Sequence, residues 1–227
     1  MLKLYIGNKN YSSWSMRPWV LLKQAGIPFE EVMVRFGSLT PDSPFKQTIS
    51  ALHPLGKVPL LVDGDLLVAD SLAICEYVAE SYPDLNLWPA NKADRALARS
   101  LCAEMHAGFN SLRQHCGMNI EARLPEVGAV ALRDQPGVRA DLARVVTIWT
   151  ELLARSGGPM LMGEFSILDA YFAPVAVRIT TYSLPVPAEI SAYIDRLYAM
   201  PGVQAWISEA LTEHDFVPVD EPYRIAR

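Results

Sequence analysis

The segment KVPLLVDGDLLVA, residues 57–69, restricts the possible folds more than any other stretch of the chain. It consists of two short apolar runs on either side of Asp63-Gly64. An Asp-Gly pair between two such runs is a strong signal for a tight antiparallel hairpin, because both residue types tolerate the positive φ angles of a hairpin turn. The sequence therefore predicts two paired strands at this point.

Strand and helix signals alternate on both sides of the hairpin, as in βαβ units. LKLYI (2–6) and FEEVMV (29–34) are typical of strands, and the segment between them predicts a helix over residues 15–25. A further helix is predicted over residues 70–82, directly after the hairpin. The expected order is strand, helix, strand, an irregular or helical segment, hairpin and helix.

The second part of the chain has helical periodicity and almost no strand signals. In GVRADLARVVTIWTELLARSGG (137–158), apolar residues recur on one side of a helix: Val138, Leu142, Val145, Trp149 and Leu152. The polar, proline-containing residues 83–91 separate the two patterns. We predict an α+β domain over residues 1–84, a linker over 85–92 and an all-helical domain over 93–227, which ends in an extended tail.

Composition and charge limit the classes of partner. The chain has 227 residues, of which 51% are hydrophobic and 20% charged, and this composition describes a folded protein. The formal net charge of −5, with no block of Lys and Arg, argues against nucleic acid. No stretch approaches the ~18 apolar residues of a membrane span, and the amino terminus lacks a signal-peptide pattern. The cysteines, Cys75, Cys102 and Cys116, form no CxxC pair and no metal-ligand spacing, so we expect a cytoplasmic protein without a metal.

The loop NKNYSSWSMRPW (8–19) is rich in groups that form hydrogen bonds. Taken alone, Ser12 and Ser13 are typical of a helix cap, because a serine hydroxyl accepts a bond from the free amides of a first helical turn. Asp70 and Ser71 allow the same interpretation at the helix after the hairpin. The amides and the dipole of such a helix start also favour a negatively charged ligand.

Two further patterns lie in the helical part. Ser166 and Asp169 form an S-x-x-D capping box, which we interpret as structural. One face of a predicted long helix mixes aromatic, polar and cationic residues: His106, Phe109, Asn110 and Arg113. This face suits the pocket of a second substrate, a dimer surface or a solvated stripe, and we favour the last two together. Arg178 and Tyr182, four residues apart, form a fainter pair of the same kind.

Four motifs in a fixed order make the chain resemble the glutathione transferases. SSWSMR (12–17) follows the first strand, where serine-type members keep the hydroxyl that touches the glutathione sulfur. GKVPLL (56–61) matches the turn before the third strand, with a proline that the family holds cis, and ADSLAICEY (69–77) looks like the helix start that clasps glutathione. FSILDAYFAPV (165–175) is similar to a helix-capping element of the helical domain. The resemblance spans essentially the whole chain and implies an α+β N-terminal thioredoxin-like domain (βαβαββα) followed by an all-α helical-bundle domain.

The resemblance also implies a chemistry, in which glutathione is a co-substrate whose thiolate is conjugated to a small electrophile, as in detoxification, by a homodimer. A thiol with a pKa of ~8.5 is only about 3% ionised at pH 7. Lowering that pKa by ~2 units, roughly 2.7 kcal/mol, makes the thiolate the majority species. On this resemblance Ser13 or Ser12 donates to the sulfur, with Ser13 favoured. Tyr11 is an alternative donor, whereas Tyr5 lies inside the first strand and is assigned to packing.

The rest of the tripeptide would be bound by the other two motifs of the first part. A cis Val58-Pro59 bond would leave the Val58 backbone free to pair with the cysteinyl residue like an added strand. Asp70 would hold the γ-glutamyl ammonium, and Ser71 at the helix start would hold the γ-glutamyl carboxylate. The candidate cations for the glycyl carboxylate are Lys57, which we favour, Lys46 and His53.

Two other functions stay open at this point. SSWSMR also resembles the SSCSWR of the zeta class, which favours a glutathione-dependent cis–trans isomerase. Trp14 stands where that class has cysteine, and this opposes both the isomerase and thiol-reducing chemistry. The third hypothesis is a non-catalytic binding or regulatory protein on the same fold, since a fold does not guarantee a function.

Overall fold

The first part of the chain forms a mixed four-stranded sheet with three helices. The computed structural model describes residues 1–37 and 40–224. The elements of this part are β1 (Leu2–Ile6), α1 (Ser13–Gln24), β2 (Phe29–Met33), α2 (Pro44–Leu52), β3 (Leu60–Asp63), β4 (Leu66–Val68) and α3 (Ser71–Ser81). The strand order is β2-β1-β3-β4, with β1 parallel to β2 and antiparallel to β3. This confirms the predicted order of elements and the thioredoxin-like topology.

The hairpin is confirmed as a tight antiparallel turn. β3 pairs with β4 so that Asp63 lies opposite Leu66, and only Gly64 and Asp65 lie between them. Gly64 has a φ of +58°, a conformation that glycine adopts at little cost. The parallel pair β1 and β2 needs a longer crossover, and α1 supplies it. The loop of residues 7–12 connects the end of β1 to the start of α1.

The second part of the chain is helical, as predicted. After a short 3₁₀ turn (Pro83–Leu85), its helices in the described residues are α4 (Lys92–Ala107), α5 (Asn110–His115), α6 (Pro125–Asp134), α7 (Pro136–Ser156), α8 (Ile167–Thr181), α9 (Ala188–Tyr198) and α10 (Pro201–Glu213). All five predicted inward residues of α7 are buried. The described part of the tail contains a second 3₁₀ turn (Pro218–Asp220), and residues 225–227 of the predicted tail lie outside the described residues.

Helix α1 connects the two parts. It packs against α3 on one side and against α8 and α10 on the other, and one hydrophobic cluster contains residues of both parts. Met16, Trp19 and Val20 are among its buried residues. The helix begins at Ser13, two residues earlier than predicted. Ser13 therefore stands at the helix start, at the junction between the sheet and the helical bundle.

One helix prediction was wrong. The sequence favoured one long helix through His106 and Arg113, but α4 ends at Ala107 and α5 begins at Asn110. Phe109 lies between them with a φ of +54°, and its side chain is buried in the core. Gly108, which has no β-carbon, marks the break. The predicted common face therefore does not exist, although the break still brings His106 and Arg113 to the same cavity, described below.

The predicted capping box at the start of α8 is confirmed, and it is fully buried. Oδ2 of Asp169 accepts bonds from the Ser166 amide (2.9 Å) and hydroxyl (3.1 Å). Oδ1 accepts from the Leu161 amide (3.1 Å) and the Tyr193 hydroxyl (3.0 Å). Burial raises the pKa of Asp169 to about 6, although these donors act in the opposite direction. The box thus ties the start of α8 to two other segments of the bundle.

Replacing this carboxylate tests its structural role. Asp169→Asn keeps the size but turns an NH₂ group toward groups that are themselves donors, which costs about 1–3 kcal/mol of unfolding free energy. Urea unfolding followed by circular dichroism measures the loss. The matched control is Asp134→Asn, whose carboxylate forms an exposed pair with Arg133 and whose loss is expected to leave the stability almost unchanged. Equal stability of Asp169→Asn and the parent protein would contradict the structural interpretation.

Candidate functional site

A cavity of about 730 Å³ lies where the start of α1 meets the helical part. Its wall contains seven of the residues that the sequence marked as a site: Ser12, Ser13, Lys57, Val58, Pro59, Asp70 and Ser71. The helical part adds His106, Arg113 and Arg178, and the tail adds Asp220. Residues of both parts of the chain and of the tail thus meet at one cavity.

The two serines differ in what their hydroxyls do. Ser12 precedes α1 but makes no capping bond, and its hydroxyl donates to the hydroxyl of Ser15 at 2.7 Å. The Ser13 oxygen instead accepts a bond from Nη2 of Arg178 at 3.2 Å. When a hydroxyl oxygen accepts a hydrogen bond from a cation, the O–H bond becomes more polar and the hydroxyl becomes a stronger hydrogen-bond donor. The Ser13 hydroxyl proton is therefore available to a ligand, whereas the Ser12 hydroxyl already donates its proton to Ser15.

Arg178 is a buried cation that has no carboxylate within 4 Å among the described residues. Nη1 donates to the carbonyl oxygen of Cys116, while Nε is buried without a partner. Burial, followed by the charge of Arg17, lowers the pKa of Arg178 to about 10. The guanidinium is still charged at neutral pH, and it places a fixed positive charge beside the Ser13 hydroxyl.

The turn before β3 has the predicted geometry. The Val58-Pro59 peptide bond is cis, and both residues line the cavity. Lys57 is exposed at its rim and has no carboxylate within 4 Å in the described part of the chain. Lys46 also lines the cavity, and its ammonium donates to the Gly56 carbonyl at 2.8 Å.

The remaining candidate cation, His53, does not line the cavity. Its Nδ1 instead accepts a bond from the Leu55 amide at 3.3 Å, within the turn that follows α2. Of the three candidates, the two lysines are therefore placed to meet an anionic group at this end of the cavity.

The start of α3 is only partly open to a ligand. Oδ1 of Asp70 accepts bonds from the amides of Leu72 (3.0 Å) and Ala73 (3.3 Å), so two of the amides expected to bind an anion are already satisfied. Ser71 lines the cavity, and its hydroxyl lies 3.1 Å from the Tyr171 hydroxyl. Of the anion site predicted here, only Ser71, the first residue of α3, is left to bind a ligand.

A series of contacting polar side chains crosses the cavity, and the sequence analysis did not predict it. Nε2 of His106 lies 3.4 Å from Oδ2 of Asp70, and Nδ1 lies 2.7 Å from the hydroxyl of Tyr171, which in turn contacts Ser71. The Trp14 ring packs edge-on against the His106 ring, with centroids 5.0 Å apart. Tyr171 was missed because it sits in the apolar run SILDAYFAPV, where it has the appearance of a core residue. This series links Asp70 and Ser71 to the helical part.

Tyr11 lines the cavity, but its hydroxyl is bound by residues of the tail. It donates to the carbonyl oxygen of Asp215 (2.9 Å) and to the carboxylate of Glu221, which is fully buried. Burial and the bond to Glu221 raise the pKa of Tyr11. Asn10 likewise donates to Oδ1 of Asn119 (3.0 Å). Much of the polar loop therefore anchors the tail and the helical part, which argues against Tyr11 as a donor to a ligand.

None of the helices in the described residues combines the length and hydropathy needed to cross a membrane. In residues 1–37 and 40–224, no group of three or more His, Cys, Asp or Glu side chains is arranged to hold a metal ion. The three cysteines are free and buried, and Cys75 is a small apolar residue of the hydrophobic core.

Comparisons of the sequence with known proteins point in one direction. Residues 11–81 match the family model described as glutathione S-transferase, N-terminal domain. The chain is 36% identical to glutathione S-transferase Z2 of Arabidopsis thaliana over 173 residues, which is 73% of this chain and 74% of the relative. It is also 26% identical over 184 residues to a stringent starvation protein A homolog of Pasteurella multocida, covering 79% of this chain and 78% of the relative.

Comparison with solved structures supports the same fold. A glutathione transferase homolog from Burkholderia GL BGR1, solved with bound glutathione, superposes with a TM-score of 0.69 at 24% identity, over 94% of this chain and 99% of that one. Human glutathione-S-transferase T1-1 in its apo form gives a TM-score of 0.70 at 23% identity, over 98% and 94%. At these identities the likeness establishes the architecture of both parts.

The role of Tyr11 as an anchor is testable. Tyr11→Phe removes both bonds to the tail and leaves the buried Glu221 with one donor fewer, which we expect to cost about 1–3 kcal/mol of stability. Limited proteolysis should then cut the tail faster than in the parent protein, while any thiol chemistry at the cavity is unchanged. The matched control, Tyr77→Phe, breaks a single bond to Asp63 at the surface. If Tyr11→Phe shifted the ionisation of a bound thiol and left the tail protected, the assignment would be wrong.

Proposed function

Because the chain belongs to the glutathione S-transferase family, we propose that it binds glutathione, stabilises the thiolate with the Ser13 hydroxyl and conjugates it to a small electrophile. The observation that carries the proposal is the polarised hydroxyl at the start of α1. Its oxygen accepts from the buried Arg178 guanidinium, and its proton is available to a ligand in the cavity. Ser12 is the weaker candidate, since its hydroxyl already donates to Ser15.

The electrostatics at Ser13 are of the right size for this chemistry. A hydrogen bond to a charged acceptor contributes about 1.5–3 kcal/mol, and a helix N-terminus adds about 0.3–1 kcal/mol. Together they approach the roughly 2.7 kcal/mol that lowers a thiol pKa by ~2 units. In the proposed step the thiol proton leaves to solvent on binding, and the sulfur electron pair forms the new C–S bond. In a substitution the leaving group departs with its own electron pair, and in an addition the displaced π pair takes up a proton from solvent. Ser13 stays neutral and intact throughout.

The remaining contacts would fix the tripeptide. We assign the Val58 backbone to the cysteinyl residue, beside the cis bond to Pro59. Asp70 keeps Oδ2 free of helix amides and would bind the γ-glutamyl ammonium, while Ser71 would bind the γ-glutamyl carboxylate at the helix start. The glycyl carboxylate would meet Lys57 at the rim.

We extend the proposal to a cytoplasmic homodimer. The edge strand β4 exposes Leu66 (48%) and Leu67 (39%), and apolar side chains of this size on an unpaired edge favour cover by a partner subunit. Three buried cysteines without a disulfide suit a reducing compartment.

A zeta-like cis–trans isomerase is the second enzymatic candidate. The relative at 36% identity is named glutathione S-transferase Z2, and the SSWSMR motif resembles that of the zeta class. Trp14, which lines the cavity where that class has cysteine, opposes it. Turnover of a maleyl-type substrate with catalytic rather than stoichiometric glutathione separates isomerisation from conjugation.

A non-catalytic role on the same fold is the third candidate, favoured by the similarity to stringent starvation protein A homologs. Retention on immobilised glutathione distinguishes it. A protein that passes straight through such a column, yet is folded, would support this alternative.

Single substitutions of the two serines test the donor. Ser13→Ala should lower kcat/KM for conjugation by about 10- to 100-fold, because it removes a hydrogen bond of about 1.5–3 kcal/mol to the thiolate. Ser12→Ala, the matched control one residue away, should stay within ~3-fold, since its hydroxyl bonds only within the protein. Isothermal titration checks that both variants still bind glutathione. Full activity in Ser13→Ala, or an equal loss in both variants, would refute the assignment.

A further inference from the structure

Three guanidinium groups cluster near the cavity: Arg113 and Arg178 line it, and Arg17 of α1 is buried against the Trp14 and Tyr171 rings. None has a carboxylate oxygen within 4 Å among the residues that the structure describes. Arg17 and Arg178 are almost completely buried, and together they leave three nitrogen atoms without hydrogen-bond partners. Buried charges in proteins are normally paired, so this cluster lacks its counter-ions.

The cluster is held in place by neutral groups. The Arg17 guanidinium lies between two aromatic rings, 4.1 Å from the Trp14 centroid and 4.2 Å from the Tyr171 centroid. Nη1 of Arg113 donates to the His106 carbonyl (3.1 Å), and Nη2 donates to Oδ1 of Asn110 (2.6 Å). These partners orient the cations without neutralising them. Burial lowers the pKa of each of the three arginines, and the charge of Arg113 lowers the pKa of Arg17 and Arg178 further.

Acidic groups near the cluster do not balance it. Asp220 lines the same wall, where burial raises its pKa to about 6 and the charge of Arg178 acts in the opposite direction. Asp141 acts on Arg113 from behind α5, where it accepts from the Leu112 amide (2.9 Å). Asp70 lies across the cavity and faces His106. With Asp220 ionised, the three clustered cations, two of which line the cavity, still outnumber this one carboxylate.

One negative charge would come from the glutathione thiolate, which the proposed function places at Ser13 beside Arg178. Arg113 then remains for a second anion. It lines the cavity, is half-buried, and has its guanidinium carbon 5.2 Å from the centroid of the Trp14 ring. A guanidinium fork matches a carboxylate, and an indole next to it offers an apolar surface for a planar group.

On this basis, and resting on the proposed function, we propose that the second substrate is an unsaturated or aromatic electrophile that carries a carboxylate. Arg113 binds the carboxylate, Trp14 contacts the planar body, and the reactive carbon is presented to the sulfur at Ser13. The prediction is a preference for acidic over neutral electrophiles of the same shape.

A matched pair of electrophiles tests this preference: 4-chloro-3-nitrobenzoate and 4-chloro-3-nitrobenzamide. Comparing the acid-to-amide ratio of kcat/KM between variants cancels their different intrinsic reactivities. Arg113→Gln should lower kcat/KM for the acid about ten-fold or more and change the amide less than ~2-fold, with Arg113→Lys in between. The control is Arg139→Gln, because Arg139 also binds carbonyls at a helix end, those of Leu132 and Arg133, but does not line the cavity.

A binding measurement without turnover separates this inference from the proposed function. Isothermal titration with 4-nitrobenzoate and 4-nitrobenzamide, in the absence of glutathione, should show tighter binding of the benzoate, and Arg113→Gln should abolish the difference. Equal binding of the two ligands would overturn the anion site. So would an equal decrease in kcat/KM for both electrophiles in Arg113→Gln. If the protein bound benzoate preferentially through Arg113 but failed to bind glutathione, the anion site would be supported. The proposed transferase function would then be refuted.

Discussion

The hydrogen bond from Arg178 to the Ser13 hydroxyl joins the two parts of the chain at the cavity. The donor lies in α8 and the acceptor at the start of α1, 165 positions apart in sequence. The bond is possible because α1 packs against α8 and α10. Without the bundle the serine would be an ordinary helix-start residue, and without α1 the buried guanidinium would keep only its bond to the Cys116 carbonyl.

The electrostatic character of the cavity follows from the same packing. Arg178 and its two neighbours are cations held by carbonyls, amide oxygens and aromatic faces. Such an arrangement costs stability in the absence of a ligand, because desolvated charges are expensive unless they are paired. The buried capping box of Asp169 and the mixed hydrophobic cluster supply the rigid surroundings that hold it. A site with this charge excess favours anions, and a thiolate is one.

The sequence predicted the local features well. The hairpin at Asp63-Gly64, the helix starts, the capping box and the position of Pro59 all depend on residues close together in the chain, where turn and cap chemistry is decisive. The residues of the candidate site were also found, because the motifs that carry them are local. The break at Phe109 was missed, since the periodicity of the apolar residues continues through it and only tertiary packing selects the left-handed backbone there.

What sequence reasoning could not supply is the set of partners from distant segments. The different roles of Ser12 and Ser13 depend on Ser15 and Arg178, and only the second of these is remote. Tyr171 looked apolar from its neighbours, yet it connects His106 to Ser71. Tyr11 looked like a free hydroxyl, yet a carboxylate from the far end of the chain binds it. Each of these contacts is set by how the bundle sits on the sheet.

The most direct test of the central claim is the ionisation of glutathione on the protein, followed by the ultraviolet absorbance of the thiolate as pH is raised. The account predicts that bound glutathione titrates ~1.5–2 units below the free thiol, and that Ser13→Ala moves the midpoint back up by at least ~1 unit. Arg178→Lys keeps a positive charge but loses the planar guanidinium fork. Its titration midpoint should lie between those of the parent protein and Ser13→Ala. A bound thiol that titrates like free glutathione in the parent protein would contradict the account.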